Sequence, residues 1–85
     1  MIHINIQFFG SARSLYHEPQ IAVQMPKGSS INELRLHLLA MFRAQNSVTA
    51  ILNTSVFATD SEILANETQL YNDITLVIMP PVCGG

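Results

Sequence analysis

Apolar and polar positions alternate from the start of the chain, with Ile2, Ile4, Ile6 and Phe8 on one side and His3, Asn5 and Gln7 on the other. A period of two sends successive side chains to opposite faces, so residues 2–8 predict a half-buried strand. Phe9 breaks the pattern by setting a ring on the polar side, and Gly10-Ser11 ends the strand. Residues 20–25 alternate again, with Ile21, Val23 and Met25 as the inward set. Pro26-Lys27-Gly28-Ser29 signals a turn, and Ser30-Ile31-Asn32-Glu33 has the pattern of a capping box. From there to about Ala44 the period becomes helical: Ile31, Leu34, Leu38, Met41 and Phe42 form one stripe, widened by Leu36 and Leu39. Burial of those five stripe residues contributes roughly 1.5–3 kcal/mol each, which makes this helix the main cover of the sheet. Residues 48–53 read as a third strand, Asn53-Thr54-Ser55 as a turn and Val56-Phe57-Ala58 as a short fourth strand. Thr59 to Asn72 reads as irregular, with a brief strand at Ile63-Leu64 and a turn at Asn72-Asp73. The last strand, Ile74–Met79, is apolar on both faces, as a central strand should be.

This order predicts an α+β fold, a β-grasp, in which a mixed sheet of four to five strands is covered by one main helix and the first and last strands lie side by side. Residues 1–79 are expected to form one domain, and 80–85 an extended tail. With 85 residues there is room for one modest core. Charged residues make up 12% of the chain, about half the usual share, which points to a protein partner that covers apolar surface. The formal charge of −2 and the lack of a basic patch argue against a nucleic-acid partner. The chain has no long apolar run and no signal peptide, so no membrane role is expected and a cytoplasmic location is. A single cysteine excludes an internal disulfide and a multi-cysteine metal site. His3, His17 and His37 lack metal-ligand spacing, and no metal is expected.

The candidate chemistry sits in the tail, Pro80-Pro81-Val82-Cys83-Gly84-Gly85. Two prolines remove ladder donors, end the strand and favour a stiff extended segment. Gly84 and Gly85 have no side chains, so the backbone and the Gly85 carboxylate fit a channel too narrow for other residues. Frayed termini are usually polar, whereas this one is apolar and slender, which suggests a device for presenting the α-carboxylate of Gly85. Cys83 has no basic residue near it in the tail to lower its pKa and reads as an inert tail residue. Phe9 on the polar face reads equally as loop packing or as a partner contact.

Over nearly the whole chain the sequence resembles the small subunits of molybdopterin synthase, which are ubiquitin-like sulfur carriers. The most specific residues are Met79-Pro80-Pro81-Val82-Cys83-Gly84-Gly85. Phe8-Phe9-Gly10 followed by Arg13, Pro26-Lys27-Gly28 leading to Glu33-Leu34, Leu52-Asn53, and Leu70-Tyr71-Asn72-Asp73-Ile74 support it. The chain departs from the family pattern at Asn72, where glycine is common, at Ser14, usually acidic, and at Cys83, usually a smaller residue. The resemblance implies that an adenylating enzyme of the ubiquitin-activating type uses ATP to convert the Gly85 carboxylate to an acyl-adenylate. A sulfur donor enzyme then leaves a thiocarboxylate on Gly85, which donates sulfur to cyclic pyranopterin monophosphate inside the large subunit, in a heterotetramer. Gly85 is then the reacting residue, and Gly84, Cys83, Val82, Pro81, Pro80 and Phe9 meet the partner and its channel. No cofactor is bound by the carrier itself, which is not catalytic alone. Two alternatives stand beside this reading: a carrier for thiamine or transfer-RNA thiolation, whose members usually lack the Pro-Pro-Val, and a ubiquitin-like binding module that is never activated.

Overall fold

The computed structural model of the chain describes residues 1–10, 18–42 and 52–79. Its elements are β1 (Ile2–Phe8), β2 (Gln20–Met25), β3 (Ser29–Ser30), α1 (Ile31–Met41), β4 (Val56–Ala58), β5 (Ile63–Leu64), β6 (Gln69–Leu70) and β7 (Ile74–Met79). Five strands form one mixed sheet in the order β2-β1-β7-β4-β5, and β3 pairs with β6 in a small second sheet. β1 and β7 lie side by side and parallel, with Ile4 beside Ile74 and Phe8 beside Ile78, while the other pairings in the large sheet are antiparallel. The central position expected for Ile74–Met79 is therefore observed.

Alternation in β1 translates directly into burial. Ile4 and Ile6 are fully buried, Ile2 and Phe8 nearly so, and His3, Asn5 and Gln7 face the other side. Leu76 and Ile78 of β7 and Phe57 of β4 join them from the same sheet face. The cover is α1, whose Ile31, Leu34 and Leu38 are all fully buried and belong to the same core cluster. The capping box forms as the sequence predicts. The Ser30 hydroxyl accepts from the Glu33 N–H at 3.1 Å, and the Ser30 N–H donates to the Glu33 carboxylate at 2.9 Å. Such a cap contributes about 1 kcal/mol.

Three expectations are corrected. The helix ends at Met41, and the stripe passes from Leu38 to Phe42, so Met41 on its flank is 46% exposed rather than buried. The exposed Leu36 lies on the opposite side of the helix and does not widen the core face. The predicted strand over 48–53 is helical at its described end, Leu52 and Asn53, and the helical stretch runs on through Thr54 into the expected turn, with Ser55 just after it. Leu52 is fully buried there, a fate that an apolar residue meets equally in either conformation. Residues 48–51 lie outside the described residues.

The short β3 and β6 were not foreseen. They form where Gly28, with φ of 91°, lets its N–H reach the Leu70 carbonyl at 2.7 Å. That left-handed backbone favours glycine, and a Cβ there would meet the Tyr71 ring at 3.7 Å. Among the described residues no buried side-chain nitrogen or oxygen lacks a hydrogen-bond partner. No described helix is long and apolar enough to cross a membrane.

Candidate functional site

β7 fixes where the tail begins. Its last residue, Met79, pairs with Val56 of β4, and on the other side the Phe9 N–H donates to the Ile78 carbonyl at 2.9 Å, extending the β1 ladder one residue past Phe8. The register therefore sets Phe9, Met79 and Val56 in one row at the end of the sheet, on the face turned away from α1. Phe9 is 53% exposed, and Met79 and Val56 are half-buried. Phe9 is thus exposed beside Met79, the last described residue before the tail. Pro80, Pro81, Val82, Cys83, Gly84 and Gly85 lie outside the described residues, so among the predicted site residues only Phe9 has a described position.

Gly10, with φ of 61°, turns the chain away directly after this row. Beside it the Phe8 N–H donates to the Pro19 carbonyl at 3.0 Å, and Gln7, Phe8, Phe9, Gly10, Pro19 and Gln20 line a mainly apolar open depression of about 410 Å³. The same sheet face continues through Val77 and Ala58 to Ile63, which is 60% exposed, and on the other flank through the amides of Gln7, Asn5 and Gln20. The Asn5 amide donates to the Gln20 side-chain carbonyl at 3.2 Å. None of the described strands carries a charged side chain. This face can therefore bind by apolar contact and neutral hydrogen bonds, and the described Asp, Glu, Lys and Arg side chains all sit on loops, turns and the helix.

Sequence reasoning missed Arg35, which enters there only through the net charge. Its guanidinium donates to the Leu52 carbonyl, to the Ser55 carbonyl at 2.7 Å and to the Asn66 side-chain oxygen at 3.1 Å. It also lies 4.9 Å from the centre of the Phe57 ring. Partial burial lowers its pKa from the ordinary arginine value, and the acceptors are neutral dipoles. Arg35 thus ties α1 to the segment that leads into β4, the strand that flanks Met79. A signal was available: Arg35 follows Ile31 by four residues and precedes Leu38 by three, which sets it on the border of the buried stripe.

Among the described residues no group of three or more His, Cys, Asp or Glu comes together to hold a metal ion. His3 and Asp73 are adjacent, but the contact is the His3 backbone N–H donating to the Asp73 carboxylate at 2.8 Å, which closes the start of the β1–β7 ladder.

Comparison with known proteins bears on the whole chain. The model of the ThiS family matches residues 6–85. The molybdopterin synthase sulfur carrier subunit of Arabidopsis thaliana is 30% identical over 88 residues, covering 99% of this chain and 84% of that protein. Among solved structures, a putative molybdopterin converting factor subunit 1 from Pyrococcus furiosus superposes with a TM-score of 0.75 at 12% identity, covering 96% of this chain and all of that one. Small archaeal modifier protein 1 of Haloferax volcanii gives 0.74 at 14% identity, with 96% of this chain and 100% of the other covered. The complex of subunits 1 and 2 of molybdopterin-converting factor from Helicobacter pylori gives 0.61 at 22% identity, over 99% of this chain and 100% of the matched one. These structural likenesses establish the ubiquitin-like β-grasp fold.

Proposed function

The chain belongs to the ThiS family, and from that premise we propose that it is the sulfur-carrier subunit of a molybdopterin synthase. The observation that carries this reading is the likeness to the Arabidopsis thaliana carrier subunit over nearly the full chain. The match of the family model as far as Gly85 supports assigning the tail a part in it.

The chemistry follows from the poor reactivity of a carboxylate. Its oxygen is a bad leaving group, so sulfur replaces it only after activation. The Gly85 carboxylate attacks the α-phosphate of ATP on an adenylating partner of the ubiquitin-activating type, and pyrophosphate leaves. Sulfide-level sulfur, released from a donor enzyme's persulfide by a thiol reductant, then attacks the acyl carbon, the C–O bond to AMP breaks, and a thiocarboxylate remains. The tail carries that sulfur into the large subunit of the synthase, where cyclic pyranopterin monophosphate receives it. The carrier contributes the acyl group rather than acid–base catalysis, and Phe9, Met79 and Val56 offer a neutral surface at the end of β7. This cycle takes place in the cytoplasm.

The test is the intact mass of the protein after incubation with an adenylating enzyme of this class, ATP and a sulfur source. The expected result is a gain equal to the exchange of one oxygen for sulfur, absent when Gly85 is deleted while the circular dichroism of the domain stays unchanged. No gain, under conditions that convert a known carrier, sinks the proposal. Capture by a molybdopterin synthase large subunit separates this pathway from thiamine or transfer-RNA thiolation.

A further inference from the structure

β2 ends the large sheet, and among the described residues no strand pairs with its outer edge. The ladder to β1 shows which backbone groups that edge carries. The Phe8 N–H donates to the Pro19 carbonyl at 3.0 Å, so the hydrogen-bonded pairs continue as Ile6 with Ile21, Ile4 with Val23 and Ile2 with Met25. The residues between them, Gln20, Ala22 and Gln24, turn their N–H and C=O groups outward, and all three are exposed. Edge strands commonly carry a charge, a proline or a bulge that keeps other strands away. The six residues of β2 include neither charge nor proline, and Pro19 and Pro26 stand just outside them.

This edge is complementary to itself. Two strands related by a two-fold axis pair antiparallel, and residues placed opposite each other share a sheet face. With the axis at Ala22, that residue meets its own copy, and Gln20 of each copy meets Gln24 of the other. All the outward-facing residues then fall in hydrogen-bonded pairs. Between them Ile21 meets Val23 on the α1 side, where Ile21 is half-buried and Val23 buried. A slide of two residues either way loses one of these pairs, and a slide of one sets apolar residues against the amide face. The same register brings Glu18 of one copy to the level of Pro26 and Lys27 of the other, an acid near a base at both ends. Glu18 and Lys27 are both exposed.

We propose that β2 is the docking edge for a second copy of this chain, the two strands pairing about Ala22 to join both five-stranded sheets into one. Both copies of α1 lie on the same side of the joined sheet. Phe9, Met79 and Val56 stay uncovered, because they belong to its outer face rather than to this edge. The contact is narrow and mostly main-chain, which makes the dimer reversible and concentration-dependent. The inference stands independently of the carrier reading.

Sedimentation equilibrium over a concentration series tests it, with a reductant present so that a disulfide through Cys83 does not contribute. The average mass is expected to climb from that of one chain towards that of two. Ala22→Pro removes the outward N–H on the axis while sparing the β1–β2 ladder, and Ala22→Lys sets like charges face to face. Both variants are expected to stay monomeric with unchanged circular dichroism. Cross-linking in a Cys83→Ser background checks the register. Ala22→Cys places its Cα about 5.5 Å from that of its copy, within disulfide range, whereas Gln24→Cys lies about 13 Å from its own at roughly 3.3 Å per residue. Mild oxidation is expected to join the first and not the second. An unsubstituted chain that stays monomeric throughout overturns the inference and leaves the edge to a strand of another protein. A dimer that persists in the folded Ala22 variants, or equally fast cross-linking through Gln24→Cys, overturns it as well.

Discussion

At the scale of single residues, Arg35 is the side chain on which the most local geometry converges. Three neutral acceptors and an aromatic face surround one guanidinium. A planar fork serves several carbonyls at once, whereas a lysine ammonium on a flexible stem does not reproduce the stacking on Phe57. Arg35→Lys is therefore expected to lose roughly 1–3 kcal/mol in urea unfolding, a range set by hydrogen bonds to a charged donor. A loss within a few tenths would show that solvent already competes for these carbonyls. The residue was visible in the sequence only as a charge beside an apolar stripe. Its acceptors come from segments 17 to 31 residues away, and no local pattern encodes them.

At the scale of elements, α1 divides its leucines sharply. Leu38 is fully buried, and Leu36, two residues earlier, is 57% exposed. Leu38→Ala is expected to cost about 2–5 kcal/mol through lost burial and a cavity. Leu36→Ala is expected to stay within about 0.5 kcal/mol of the parent, as an exposed helix position should. Equal costs in thermal or urea unfolding would mean that the helix is rotated from the orientation described. β1, β2 and α1 were legible because each is long enough to show its period, and β7 because it is an apolar run on both faces. β3 and β6, of two residues each, are too short for one and exist through pairing across the chain. The misread end of the predicted third strand, Leu52-Asn53, shows the opposite failure: an apolar residue in such a run suggests a strand, but burial alone does not separate strand from helix. Phe9 was legible because it broke an alternation, and its neighbours Met79 and Val56 emerged only from register.

At the scale of the whole molecule, the Asp, Glu, Lys and Arg side chains among the described residues lie on the helix, the loops and the turns, and none lies on a described strand. Association through the strand face with the proposed large subunit lacks long-range steering. The expected rate constant lies near the unsteered range of roughly 10⁵–10⁶ M⁻¹s⁻¹ and changes little between low and physiological salt. Stopped-flow measurement across a salt series checks this, and a steep fall with ionic strength would show that charges outside the strands dominate docking. The centre of the sheet has a further consequence, in the order of events during synthesis. The middle pair joins β1 to β7, whose partner residues are seventy positions apart in the chain. Ile4 and Ile6 leave the ribosome seventy residues ahead of their sheet neighbours Ile74 and Leu76. The core therefore closes only when β7 has emerged, which leaves products truncated before it without a finished sheet for quality-control proteases to spare.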